Sequence, residues 1–135
     1  MAASGGPLRR VPGVCGADVS TSQRLLAAFW ILAGLNHFRV PKVYEAIMPD
    51  WVPMHREMVL WSGAAEIVGG AAVIPPWGRR FAHWWLLGVL AAVYPANVHM
   101  ARHPERYEQI PAVALWARLP LQFAAAWWVW RATAD

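Results

Sequence analysis

The stretch LLAAFWILAGLNHF (Leu25–Phe38) is an apolar run that ends on two strongly polar residues, Asn36 and His37. Three further apolar stretches follow the same pattern and contain Glu66, then Asn97 and His99, then Arg118 and Gln122. An apolar run of about 20 residues is typical of a membrane-spanning helix. Polar groups inside such helices are costly and usually mark a functional site or an internal partner. The sequence therefore predicts an all-α integral membrane four-helix bundle with an internal polar cluster.

The composition supports this fold class. Hydrophobic residues make up 58% of the 135-residue chain, against roughly 45–50% in soluble domains. Charged residues make up 15%, where about 25% is usual. The formal net charge is +4, but the basic residues are scattered between the apolar stretches. A nucleic-acid-binding protein would concentrate them on one soluble face, so nucleic acid is excluded as a partner.

The ten tryptophans fit a membrane protein better than a soluble core of this size. Indole rings settle at the lipid–water interface. Five of them fall at predicted helix ends and are expected there: Trp51, Trp77, Trp127, Trp128 and Trp130. Three lie deeper in the predicted helices and are expected to be packing residues: Trp30, Trp61 and Trp116.

One domain is predicted, preceded by a polar arm. Residues 1–19 lack the apolar core of a secretory signal and are expected to form a disordered cytoplasmic arm. Residues 20–131 are expected to form the four-helix domain, with spans at about 21–38, 54–74, 81–101 and 112–131. Ser20 and Gln23 have the spacing of a capping box at the start of the first helix. The single cysteine, Cys15, excludes a disulfide framework within the chain.

The segment Arg39–Pro53 interrupts the apolar pattern with three prolines and several charges. Residues Lys42–Met48 could form two amphipathic turns that lie in the membrane interface. An ordinary loop with exposed aromatic side chains fits the same residues. The sequence leaves both interpretations open.

The polar residues sort by depth toward the outer half of the predicted bilayer, and none is expected deep on the inner side. Glu66 and Arg118 are the intramembrane residues that carry charge at neutral pH, so they are expected to pair. The pair could serve only to stabilise the contact between two helices, or it could also line a ligand site. Asn97 and His99 lie two residues apart, so at most one of them faces the interior.

A single pocket is the sharper hypothesis for this cluster. His37, Asn97 and Gln122 are expected to converge with Glu66 and Arg118 on one outer-facing pocket, beneath the Pro41–Pro53 segment as a partial lid. For His37 the alternative is that the side chain contacts water at the end of the first helix and has no role in a pocket. No residue can be assigned a catalytic role, and no metal is predicted, since His103 lies in a loop and His99 lacks a partner on its own face.

Five segments, taken in order, resemble the DoxX family of small four-helix bacterial membrane proteins. They are AGLNHF (Ala33–Phe38), P-x-x-Y-x-x-I-M-P (Pro41–Pro49), SGAAEIVGG (Ser62–Gly70), YPANVHMA (Tyr94–Ala101) and RLPLQ (Arg118–Gln122). The resemblance implies a membrane redox association. It also implies a motif set of His37, Glu66, Pro95, Asn97, Arg118 and Gln122, which favours Asn97 over His99. The chain lacks the cysteine pair that a thiol-exchange role of its own would require.

Three functions are compatible with these observations. The leading one is a redox-linked inner-membrane subunit that binds a quinone or a similar small molecule, with His37, Asn97, Arg118 and Gln122 as hydrogen-bond donors. The second is a small-molecule transporter or exporter, although no inverted repeat is visible. The third is a scaffold that anchors a soluble redox enzyme to the membrane. The lipid bilayer is the partner expected in every case, and a homo-oligomer is left open.

The loop charges predict that both termini are cytoplasmic. Six Lys and Arg residues fall on the side of the termini and five on the other side, and the richer side faces the cytoplasm. Reporter fusions after Asp135 and within Arg102–Gln109 test this topology. An alkaline phosphatase that is active when fused after Asp135 would show that the prediction is wrong.

Overall fold

The fold was analysed in a computed structural model that describes residues 18–134. Five α-helices account for most of these residues: α1 (Thr21–Arg39), α2 (Pro41–Ala46), α3 (His55–Ala72), α4 (Arg79–Arg102) and α5 (Ala112–Thr133). Short 3-10 turns at Pro76–Gly78 and Pro104–Arg106 precede α4 and α5. No strand occurs between residues 18 and 134, so the predicted all-α class is confirmed. Most of the predicted N-terminal arm, Cys15 included, lies outside the described residues.

The predicted capping box is present at the start of α1. The Ser20 hydroxyl accepts a hydrogen bond from the Gln23 amide at 3.2 Å, and the Gln23 side chain accepts one from the Ser20 amide at 3.0 Å. The same glutamine donates from Nε2 to the carbonyl of Ala132 at 3.0 Å. This bond ties the first turn of α1 to the last turn of α5, so both ends of the domain meet at one end of the bundle.

The four long helices form a ring. Helix α1 packs against α3, α3 against α4, α4 against α5, and α5 closes the ring on α1. Helices α3 and α5 are therefore diagonal to each other, and they make few direct contacts. One end of the ring carries α2 and the Pro104–Arg106 turn and is called the α2 end. The opposite end, where α1 begins and α5 finishes, is called the terminal end.

Helices α1 and α3 approach closely because each has a glycine at the crossing. A Cβ added to Gly34 would lie 2.5 Å from the Gly63 carbonyl oxygen, and one added to Gly63 would lie 2.7 Å from the His37 Cβ. Small residues allow this backbone contact, as in many membrane helix pairs. The close approach brings the polar residues of α1 and α3 next to each other.

The outside of the ring is covered with large apolar side chains. Twenty-two of them are exposed, including eight of the ten tryptophans. Trp30 is buried as predicted, but Trp61 is 73% exposed and Trp116 is 54% exposed, so their prediction as packing residues was wrong. Both indoles point away from the ring, because other residues occupy the inward faces of their helices, such as Gly63 on α3 and Gln122 on α5.

By length and composition, one helical stretch within residues 18–134 could cross a membrane. It is Pro76–Arg102, whose most apolar 18-residue window has a mean hydropathy of 1.2 and is only 17% buried. The four spans expected from the sequence are therefore not recovered by this criterion. Helices α1, α3 and α5 carry Asn36, Glu66 and Arg118 among their polar residues, and such residues lower the mean hydropathy of a helix.

The segment after α1 is helical at its start. Helix α2 covers Pro41–Ala46, so the helical alternative holds for the first part of Lys42–Met48. The chain then turns into α3 through Met54, whose φ of 49° is in the left-handed region. Pro95 and Pro120 lie inside the continuous helices α4 and α5.

Two glycine substitutions test the α1–α3 contact. Gly34→Ala should lower the free energy of unfolding by about 1–3 kcal/mol, the usual cost of overpacking, because the new methyl group meets backbone. Gly88→Ala is the matched control, since nothing lies within 4 Å of its added Cβ. It should be neutral or stabilising by up to about 1 kcal/mol. Denaturant titration of the purified protein measures both, and equal midpoints for the two variants would contradict the packing described here.

Candidate ligand-binding cavity

A cavity of about 170 Å³ opens at the α2 end, inside the ring and beneath the segment that follows α1. All five helices contribute to its wall. The polar lining residues are His37, Tyr44, Ser62, Glu66, Asn97 and Arg118. The apolar lining residues are Ile47, Met48, Pro49, Val59, Val93, Ala96 and Met100. Four of the five ligand-binding residues predicted from the sequence therefore line one cavity, and Gln122 is the exception.

His37 and Glu66 face each other across the α1–α3 contact. The distance from His37 Nδ1 to Glu66 Oε2 is 4.0 Å, too long for a hydrogen bond, and the two side chains are 11% and 13% exposed. Neither atom has a hydrogen-bond partner within residues 18–134. Burying polar groups without partners is costly. The cavity thus contains two polar atoms that a third molecule could satisfy.

The predicted ion pair between Glu66 and Arg118 is not formed. No nitrogen of Arg118 comes within 4.0 Å of the Glu66 carboxylate, although both residues line the cavity. The reason is the order of the helices in the ring. Glu66 is on α3 and Arg118 is on α5, and these helices are diagonal rather than adjacent. The two side chains therefore lie on opposite walls of the cavity, and His37 is the nearest ionisable neighbour of Glu66.

Gln122 acts behind the cavity rather than in its wall. Its Oε1 accepts a hydrogen bond from Asn97 Nδ2 at 2.8 Å. Its Nε2 donates to the backbone carbonyl of Leu90 on α4. Both bonds cross from α5 to α4, on either side of the Pro95 position. Gln122 is thus a positioning residue for Asn97, and its exposed neighbour Phe123 lines a separate apolar groove between the same helices.

Asn97, and not His99, faces the cavity. His99 points toward the α2 end, where its ring lies 6.4 Å from Trp51 and 4.4 Å from His103 between centroids. His103 donates from Nδ1 to the backbone carbonyl of His99 at 2.9 Å. Within residues 18–134, no three His, Cys, Asp or Glu side chains are grouped as metal ligands would be.

The segment above the cavity is held in place at several points. The Tyr44 hydroxyl accepts a hydrogen bond from Asn36 Nδ2 at 2.8 Å, and its ring packs edge-on against His37 with centroids 3.9 Å apart. Farther along, Asp50 forms an ion pair with Arg106. His55 donates to the Pro49 carbonyl at 3.1 Å. The segment that was expected to be a partial lid therefore contributes Tyr44, Ile47, Met48 and Pro49 to the cavity wall.

The terminal end holds a second buried polar cluster, which the sequence analysis missed. Four polar side chains are buried there: Gln23, Arg79, His83 and Thr133. His83 Nδ1 donates to the Thr133 hydroxyl at 2.8 Å, and that hydroxyl donates to the Val129 carbonyl at 2.6 Å. All four lie in the first two turns of α1 or α4 or in the last turn of α5, at the end of the bundle. The available signal was His83, a histidine near the start of the third apolar stretch.

The comparisons with known proteins identify one family. Residues 26–133 match DUF8561, a domain of unknown function, and this match covers most of the chain. The chain therefore belongs to that family, and the resemblance to DoxX was wrong. The five short segments that suggested DoxX are also what a helix bundle with glycine contacts and polar stripes contains. No curated protein and no solved structure matches the chain.

A double-mutant cycle on Asn97→Ala and Gln122→Ala tests the bond that positions Asn97. Side chains joined by a hydrogen bond usually have coupling energies of about 0.5–3 kcal/mol. We expect a coupling in that range when unfolding of the purified protein is measured. The control cycle combines Asn97→Ala with Gln23→Ala at the terminal end, where the two losses should add to within about 0.5 kcal/mol. Additivity in both cycles would contradict the contact.

Proposed function

We propose that this member of the DUF8561 family is a multi-pass inner-membrane protein that binds a quinone, or a similar small ring-bearing molecule, in the cavity at the α2 end. The observation that carries the proposal is the pair of unpartnered buried atoms, His37 Nδ1 and Glu66 Oε2, in a cavity that also exposes Arg118. The proposal has two parts, the membrane location and the ligand, and each has its own support.

The membrane location is supported by the outside of the bundle. Monomeric soluble proteins rarely expose contiguous apolar patches larger than a few hundred Å². Here Leu32 is 65% exposed, Trp84 63% and Phe123 63%, on three different helices. Of the polar residues that lower the hydropathy of the other helices, Glu66 and Arg118 line the cavity, and Asn36 donates a hydrogen bond to Tyr44, which also lines it. An apolar outside is what a helix bundle in lipid requires.

The orientation is supported by the Lys and Arg residues of the sequence. Six belong to the side of the termini: Arg9, Arg10, Arg24, Arg79, Arg80 and Arg131. Five belong to the side of α2: Arg39, Lys42, Arg56, Arg102 and Arg106. Cytoplasmic loops are enriched in Lys and Arg, so the terminal end is assigned to the cytoplasm and the cavity to the outer half of the bilayer.

The size of the cavity favours a single ring as its occupant. A cavity of about 150 Å³ in another protein holds benzene, and this one measures about 170 Å³. A six-membered ring with two oxygen substituents is of that size. An apolar tail would leave the cavity past Met48 and Met100, which belong to its apolar lining.

The chemistry of the lining favours a ring that carries oxygen at both ends. Arg118 only donates hydrogen bonds, so it suits a carbonyl oxygen. On the opposite wall, Glu66 and His37 suit a hydroxyl group, because a carboxylate accepts and an imidazole can exchange a proton. A quinone in its oxidised and reduced forms presents both groups. Any redox role of the protein would follow from such a ligand, since the DoxX resemblance that first suggested it is wrong.

Titration of the purified protein with a short-chain benzoquinone, followed by tryptophan fluorescence, tests the ligand. Arg118→Gln should weaken binding by about 10- to 100-fold, the value of a hydrogen bond to a charged group. Arg102→Gln removes the same charge from an exposed position on α4 and should leave the affinity unchanged. Absence of binding to the unaltered protein, or equal effects of the two substitutions, would refute the ligand assignment.

A further inference from the structure

An open pocket of about 460 Å³ lies at the terminal end, between the start of α1 and the last turn of α5. It is separate from the cavity at the α2 end and shares no residue with it. Its lining combines two arginines with small polar side chains: Arg79, Arg131, Ser20, Ser22 and Gln23. Among the lining residues within 18–134, Asp18 is the one carboxylate.

Both serine hydroxyls have protons to donate. Ser20 Oγ accepts from the Gln23 amide at 3.2 Å, and Ser22 Oγ accepts from Trp128 Nε1 at 3.0 Å. A hydroxyl that accepts one bond still has its own proton available. Within residues 18–134 neither proton has an acceptor. The two hydroxyls are therefore suited to an acceptor that enters the pocket.

The two arginines differ in how they are held. Arg79 is only 7% exposed, and its Nε donates to the Val73 carbonyl at 3.3 Å, so its guanidinium is fixed at the start of α4. Arg131 is exposed and sits on the last turns of α5. Planar guanidinium groups match the geometry of phosphate oxygens and can bind them with two parallel hydrogen bonds. One arginine is thus fixed in advance and the other can close on a ligand.

We propose that this pocket binds a phosphate group, with the Arg131 guanidinium and two serine hydroxyls as donors and the fixed positive charge of Arg79 beside them. The same chemistry is offered by the headgroup of an anionic phospholipid and by free phosphate. Exposed indoles at this end favour the lipid, since Trp77 is 86% exposed and Trp130 is 49% exposed, and such rings settle at headgroup level. The lipid source rests on the membrane location proposed above, whereas the phosphate site itself does not.

The test uses the full chain, purified in detergent and freed of lipid. Native mass spectrometry measures the binding of added phosphatidylglycerol or phosphatidylcholine. Calorimetry measures the binding of inorganic phosphate. Arg131→Gln should weaken phosphatidylglycerol binding about fivefold, the effect of one basic residue near an anionic surface. Ser22→Ala should give a smaller loss. Arg102→Gln, at the α2 end, carries the same charge change and should have no effect.

The outcomes separate the two sources and the two proposals. Preference for phosphatidylglycerol over phosphatidylcholine, reduced by Arg131→Gln, supports a lipid headgroup. Binding of inorganic phosphate with the same dependence on Arg131, but no lipid preference, supports the site with a soluble source. If neither lipid nor phosphate binds, or if Arg102→Gln lowers the affinity as much as Arg131→Gln does, the proposed phosphate site is refuted. Quinone binding should be unchanged in Arg131→Gln, so failure of one proposal is distinguishable from failure of the other.

Discussion

Large apolar side chains cover the outside of this bundle, while strongly polar ones lie between its helices. Every other feature depends on that arrangement. Part of the contact between the helices is an apolar core near the terminal end, which includes Leu26, Leu86 and Val129. The other contacts are close backbone packing, as at Gly34 and Gly63, and hydrogen bonds across the ring. Both are the interactions that stabilise helix bundles in lipid.

Some interior polar groups satisfy one another, and one pair without hydrogen-bond partners lies in the wall of the cavity at the α2 end. Asn97, Gln122 and the Leu90 carbonyl form a closed set between α4 and α5. His83, Thr133 and the Val129 carbonyl form another at the terminal end. His37 Nδ1 and Glu66 Oε2 remain unpartnered beside a cavity, with Arg118 on the far wall. If this cluster had only a structural role, we would expect these two atoms to have hydrogen-bond partners as well.

The sequence predicted the helices well, because their start and stop signals are local. The Ser20–Gln23 capping box and the prolines that flank the apolar stretches are read without knowing the fold. Helix neighbours are not local information, and the Glu66–Arg118 pair failed for that reason: it assumed that α3 and α5 are adjacent. The same limit explains Trp61 and Trp116, whose exposure depends on which face of the helix turns inward. The family was misassigned because short motifs of polar and small residues are shared by unrelated bundles.

The most direct test of the central claim is where the expressed chain resides. Membranes from producing cells would be washed with alkaline carbonate and floated through a sucrose gradient, and the protein located by immunoblot. If lipid covers the apolar outside of the bundle, the protein rises with the membrane fraction after the wash. Recovery as a monodisperse soluble protein without detergent would contradict the account, because the exposed tryptophans and leucines would then face water.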